Sequence, residues 1–143
     1  VKPVSHERRE KEIARLIEDF LANLARALPK HEEHEYSVEE TEEQMKGVVT
    51  ILSALSQRWS LGIIFLLYMR SLKFNELREL LPGISSRTLT DKLRMLEGSG
   101  ILTRSVMTSA PVRVRYSLTT SGREIALSCL PLLYQLRKQK LAS

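Results

Sequence analysis

The stretch FNELRELLPGISSRTLTDKLRMLEGSGIL, residues 74–102, constrains the fold more than any other part of this chain. Two short leucine-spaced segments flank a Pro82-Gly83 break, a pattern that predicts a helix, a tight turn and a second helix. Phe74, Leu77, Leu80 and Leu81 form the apolar side of the first. Ser85 is placed to N-cap the second, which should run to about Glu97 before Gly98 and Gly100 end it. On a wheel of about 100° per residue, Leu89, Leu93 and Leu96 fall on one narrow arc and must face the core. Arg87, Asp91 and Arg94 lie opposite, with Thr90 beside them. One leucine stripe is enough to hold such a helix, and its far face is then free for a partner.

The flanking segments extend the pattern. Ile13, Leu16, Ile17, Phe20, Leu21, Leu24 and Leu28 recur at helical spacing and predict an amphipathic helix over about 7–28, stopped by Pro29. PKHEEHEYSVEETEEQM, 29–45, is acidic and reads as a linker or a solvated helix start. Residues 46–56 and 59–69 read as two further helices, the second apolar nearly all round. After residue 100 the period changes. Val112, Val114, Tyr116 and Leu118 alternate with Arg113, Arg115 and Ser117, as in a half-buried strand. ILTRSV, 101–106, is its partner, and 107–111 makes the turn. A last helix from about Thr120 carries Ile125, Leu127, Leu130, Leu133 and Leu136, with Pro131 expected to kink it. The expected fold is mainly α with a small β-hairpin, the layout of a winged helix-turn-helix. The expected division is an extension, residues 1–45, followed by the domain proper, 46–143.

Charge is divided in the same place. Residues 1–45 hold seven Lys/Arg against twelve Asp/Glu, whereas 46–143 hold fifteen against five, a net +10. A 98-residue domain with that balance has the electrostatic footprint of a polyanion binder. The DNA major groove admits one α-helix, Arg can bond guanine in a bidentate way, and Thr can bond a base or touch a thymine methyl. Ser85, Ser86 and the first-turn amides suit a phosphate oxygen. Asp91 repels phosphate, so it favours selectivity, by orienting Arg87 or Arg94 or by accepting from cytosine. In the hairpin, Arg104, Arg113 and Arg115 are the candidates for a wing on the backbone or in the minor groove, with Arg113 and Arg115 on one outward face. The DNA-contact candidates are therefore Ser85, Ser86, Arg87, Thr90, Asp91, Arg94, Arg104, Arg113 and Arg115. Each also has a plainer role: Arg87 and Asp91 as an i,i+4 surface pair, the hairpin arginines as edge charges against aggregation.

Several chemistries are disfavoured. His6, His31 and His34 all lie before residue 46, so a Ser-His or Cys-His arrangement inside the domain is excluded. There is no glycine-rich phosphate loop and no Cys-x-x-Cys pair. HEEHE, 31–35, spaces its histidines i,i+3, not the i,i+4 of the zinc-protease helix, and reads as solvated linker rather than metal site. No enzyme activity, cofactor or metal is expected. The apolar run LGIIFLLYM, 61–69, falls short of the roughly 20 residues of a membrane span. With no secretory leader and Cys129 alone, the expected setting is cytoplasmic.

RWSLGIIFLL (58–67), KFNELRELLPGISSRTLTDKLRMLE (73–97) and PVRVRYSLTTSGRE (111–124) resemble, in order, the motifs of the HxlR-type family of winged-helix transcriptional regulators, a similarity covering about 47–141. The resemblance implies a homodimer joined through its first and last helices, Trp59 as a core anchor, and the helix from Ser85 reading a pseudo-palindromic site in double-stranded DNA. Two departures stand out. Many members sense oxidants through a cysteine near the start of the domain. This chain has none there, and Cys129 in an apolar helix reads as a buried, inert thiol. Arg115 stands where the family often has an acidic residue, which makes the wing more basic. The extension lies outside the pattern, and its seven-residue apolar stripe reads as a dimer brace. The apolar dimer interface leaves room for a small-molecule effector, unidentified from the sequence, although no polar cluster marks such a site. The alternative to a DNA reader is a winged-helix module that binds protein without sequence-specific DNA binding.

Overall fold

A computed structural model describes residues 4–28 and 37–142. The elements are α1 (Val4–Ala27), α2 (Val38–Ser56), α3 (Ser60–Met69), α4 (Phe74–Leu80), α5 (Ser86–Gly98), β1 (Leu102–Met107), β2 (Arg113–Leu118) and α6 (Thr120–Ala142). The chain forms two compact units. One is Glu42–Ser128; the other joins α1 and the start of α2 to α6 from Cys129 onward. No helix among the described residues is long and apolar enough to cross a membrane.

The unit Glu42–Ser128 is built on α3. Ile63, Ile64 and Leu67 bury one side of that helix against Leu77 of α4, the Leu89, Leu93 and Leu96 stripe of α5, and Leu102, Tyr116 and Leu118 of the hairpin. Between α4 and α5, Leu81 and Ile84 point inward, and the Ile84 N–H donates to the Leu81 carbonyl at 3.2 Å. Gly83, at φ 88°, occupies the left-handed region that a residue with a Cβ seldom adopts. α5 closes on a Schellman pattern, with Gly100 N–H to Glu97 O and Ile101 N–H to Leu96 O, both 3.0 Å. That closure turns Ile101 into the core and starts β1.

β1 and β2 pair antiparallel, with Leu102 opposite Leu118, Arg104 opposite Tyr116, Ser105 opposite Arg115 and Met107 opposite Arg113. A third strand position, not expected from the sequence, is the Leu72–Tyr116 bridge. One residue has no periodicity to detect; its role is set by its neighbour across the sheet. The acidic stretch is likewise resolved for its described part. α2 begins at Val38, eight residues earlier than the apolar pattern implied. Ser37 and Glu40 form a capping box, Glu40 N–H to Ser37 Oγ and Ser37 N–H to Glu40 Oε2, each 3.1 Å. HEEHE lies outside the described residues. α6 continues through Pro131 as one helix.

In the other unit, α1 meets the later part of α6. The Glu18 carboxylate accepts from the Tyr134 hydroxyl at 2.8 Å and from Lys138 Nζ at 3.4 Å. These bonds, Tyr134 foremost, hold the Glu18 carboxyl below the ordinary carboxylate range. A depressed folded-state pKa stabilises above the unfolded value and loses that contribution as pH falls through the folded one. Acidification below roughly pH 4 should therefore loosen α1. Limited proteolysis across a pH series should find α1 cut faster in acid, and Glu18→Gln should be cut at a rate that varies less with pH.

Candidate nucleic-acid interface

The expected reading helix is α5, and its local chemistry is visible residue by residue. Ser85 is the N-cap: its Oγ accepts the Thr88 N–H at 3.0 Å and donates to Thr88 Oγ1 at 2.8 Å. Its one hydroxyl proton is thereby used within the cap. The Ser86 Oγ accepts from Arg78 Nη1 at 3.0 Å, so its own proton is free for a partner. Thr90 Oγ1 donates to the Ser86 carbonyl at 2.8 Å and keeps its lone pairs and methyl for other contacts. Arg87, Asp91 and Arg94 are exposed on the face away from Leu89, Leu93 and Leu96. Among the described residues, no hydrogen bond or ion pair engages these three side chains; Arg87 and Asp91 do not form the i,i+4 pair that would make them ordinary surface.

The hairpin divides its arginines between two faces. Arg104 stands across from Tyr116 and borders a hollow of about 510 Å³ between α5 and β1, with Thr90, Leu93, Arg94 and Glu97 on its other sides. Arg113 and Arg115 occupy the opposite face of β2, since they alternate with Val114 and Tyr116. They are not equivalent. Arg113 is exposed. Arg115 is half-buried, and its Nη1 donates to the Ser71 carbonyl at 3.1 Å and to Ser71 Oγ at 3.4 Å. It ties β2 to the α3–α4 connection, a contact 44 residues away in sequence that the local pattern could not reveal.

Arg78 was not among the sequence candidates. It lies on the last turn of α4, and its bond to Ser86 brings a guanidinium to the N-terminus of α5. The Ser86 and Arg87 amides there have no partner within the helix, so cation and donors converge at one place. Only its position one turn before a Pro-Gly break could have pointed to it. Trp59, half-buried against the core, takes a left-handed φ of 81° at the start of α3, with the Arg58 guanidinium 4.7 Å from its ring centroid. Cys129 is half-buried rather than fully so, and burial pushes its thiol pKa up, which disfavours the reactive thiolate. Among the described residues there is no group of three or more His, Cys, Asp or Glu that could hold a metal.

A family model described as HxlR-like helix-turn-helix matches residues 54–142, from the end of α2 through the hairpin and α6. The chain belongs to the HxlR-like helix-turn-helix family. This HxlR-like chain is 39% identical, over 84 residues, to the uncharacterized HTH-type transcriptional regulator YvaP of Bacillus subtilis (strain 168); the match covers 59% of this chain and 74% of YvaP. Other curated relatives are spanned less fully, one of them over 56% of its length. Among solved structures, a transcriptional regulator of the MarR family from Enterococcus faecalis V583 superposes with a TM-score of 0.59 at 33% identity, covering 68% of this chain and 91% of that one. An HxlR-family transcriptional factor from Thermoplasma volcanium GSS1 gives a TM-score of 0.55 at 29% identity, over 63% and 81%. The fold is a winged helix-turn-helix, and the HxlR-like chain is a transcriptional regulator rather than an enzyme.

Proposed function

We propose that this HxlR-like regulator is a homodimer that binds a pseudo-palindromic site in double-stranded DNA, with α5 in the major groove and the hairpin along the backbone. The observation that carries this reading is the unengaged outer face of α5. Arg87, Asp91 and Arg94 stand in solvent on a helix whose other side is fully committed to the core. Arg87 is the base reader and Arg94 the cation at the edge of the same face, Thr90 contributes its methyl and acceptor, and Asp91 discriminates by repulsion or by accepting from cytosine. Ser85 caps the reader rather than donating to DNA, while Ser86 and Arg78 address a phosphate at its N-terminus. Arg113 runs along the backbone. Arg115 supports the wing through Ser71 and adds charge at its flank.

Dimerisation through α1 and α6 is supported by what those helices leave uncovered. Ile13, Leu16, Phe20 and Leu24 of α1 and Leu132, Leu133 and Leu136 of α6 are all exposed, clusters of large apolar side chains of the kind that mark an interaction surface. Two such subunits would place their readers about 34 Å apart, one helical turn of DNA.

Selection of bound sequences from a random duplex pool, at about 150 mM salt, tests the reading. A two-fold-symmetric enriched site is the expected result. Binding without enrichment would reject sequence-specific reading, and no binding would favour the protein-interaction module instead. With a site in hand, Arg87→Ala should relax base preference at one position per half-site, by about 1–3 kcal/mol of discrimination. Arg113→Ala should weaken binding to every sequence alike. If both variants keep the wild-type ranking of sequences, the division of roles is wrong.

A further inference from the structure

The hollow between α5 and β1 contains a feature that the reading above does not use. Tyr116 is only 8% exposed, and its ring packs in the core. Its backbone is held on Leu72 by two hydrogen bonds, Tyr116 N–H to Leu72 O at 2.8 Å and Leu72 N–H to Tyr116 O at 3.1 Å. The ring cannot move far. Yet among the described residues its hydroxyl has no hydrogen-bond partner. Nor is the hydroxyl sealed from solvent, since the only buried side-chain polar atom without a partner there is Ser60 Oγ. Tyr116 lines the hollow, and Arg104, directly across the ladder on the same face, lines it too. A nine-tenths-buried phenol whose proton is unspent is held ready for an acceptor brought by something else.

The walls say which acceptor. Arg94 and Arg104 supply cationic donors, both exposed and both without an ion pair among the described residues. Thr90 has given its proton to Ser86 and can only accept. Glu97 is the one carboxylate on the wall, so the charge around the hollow is net positive. Guanine, the base that takes donors alone, offers two acceptors in one plane; this wall offers three donors converging from three elements, α5, β1 and β2, which suits an oxyanion with several lone-pair sites. The hollow lies on the flank of α5 toward the hairpin, beside the outer face that carries Arg87 and Asp91.

We infer that the hollow between α5 and β1 seats one backbone phosphate of the bound duplex, gripped by Arg94, Arg104 and the hydroxyl of Tyr116. This rests on the DNA-binding reading above and deepens it. The phenol is the neutral, rigid member of the set. It fixes where the phosphate sits, and therefore the register of α5 along the groove, while the two arginines supply the attraction.

Tyr116→Phe removes the hydroxyl and keeps the ring, so core packing is preserved; a thermal melt matching wild type verifies this. Binding to the selected duplex and to an unrelated one is then measured between about 50 and 200 mM salt. Tyr116→Phe should bind both duplexes about tenfold more weakly, with the log–log salt slope unchanged because no charge is lost. Arg104→Gln should also weaken both and should flatten the slope by about 2 for a dimer. A scan of single methylphosphonates through the selected site should find one position per half-site whose penalty shrinks in Tyr116→Phe. If wild type binds and Tyr116→Phe matches it within about twofold, with the same scan, the phosphate seat is wrong and the DNA reading stands. If wild type binds no duplex, both fail. Stabilisation of wild type by inorganic phosphate, lost in Tyr116→Phe while DNA binding is unaltered, would assign the hollow to a free anion and overturn the inference.

Discussion

Gly122→Ala should destabilise this regulator by about 3 kcal/mol or more and lower its melting temperature by about 10 °C, the reverse of what alanine usually does in a helix. A Cβ built on Gly122 would sit 2.0 Å from the Ile101 carbonyl oxygen and 3.2 Å from Leu118 Cδ2. That carbonyl cannot retreat, because it accepts the Thr119 N–H at 3.0 Å and the Thr119 hydroxyl at 3.1 Å. The Thr119 hydroxyl also bonds the Gly100 carbonyl at 2.7 Å and accepts the Gly122 N–H at 3.0 Å. The first turn of α6 is thus laid against the α5–β1 corner with no room for a methyl group. Gly98→Ala is the internal comparison. Nothing lies within 4 Å of its Cβ position, and its backbone is helical without a positive φ, so it should be neutral or gain up to about 1 kcal/mol. Thermal melts of both variants decide the matter: equal, small shifts would mean that the corner yields.

The second large effect concerns salt. If each subunit of a dimer neutralises about four phosphates, the slope of log affinity against log salt should be about −7. Between 50 and 200 mM the affinity should then fall by about four orders of magnitude. The cations proposed for these contacts number four per subunit: Arg78 at the start of α5, Arg94 and Arg104 at the hollow, and Arg113 on the wing. Equilibrium titrations by fluorescence anisotropy at four or five salt concentrations measure the slope directly. A slope shallower than about −3 would mean that most of these cations do not meet the backbone.

α5 was legible in the sequence because its signals are local. Leu89, Leu93 and Leu96 recur at helix spacing and are each no more than 2% exposed, and Ser85 caps where its side-chain chemistry says it should. The strands were legible by alternation, to within a residue at their ends. What escaped was non-local. Arg115 alternates correctly for an outward residue, yet Ser71 draws it into a half-buried bond. Leu72 joins the sheet through a single bridge. Arg104 faces α5 rather than the outside, because the ladder register, not the composition of β1, decides which side it takes. Tyr116 reads as one more inward residue of an alternating strand, and only the packed structure reveals that its hydroxyl has no partner among the described residues. The Ser37–Glu40 capping box was the exception, a local signal that decides between the two readings of the acidic run, linker or solvated helix start, in favour of the second from Val38 onward.

The corner where Thr119 clasps the carbonyls of Gly100 and Ile101 has a mechanical side. It joins the tail of α5, the start of β1 and the head of α6 into one corner, with no room for a side chain at Gly122. A displacement of the first turn of α6 would therefore be felt at the end of α5 and the start of β1. Compliance has to be sought further along, where Pro131 has no N–H to offer the Leu127 carbonyl and the helical ladder drops a rung. The fold is braced at the α5–β1–α6 corner and gives up one backbone hydrogen bond at Pro131.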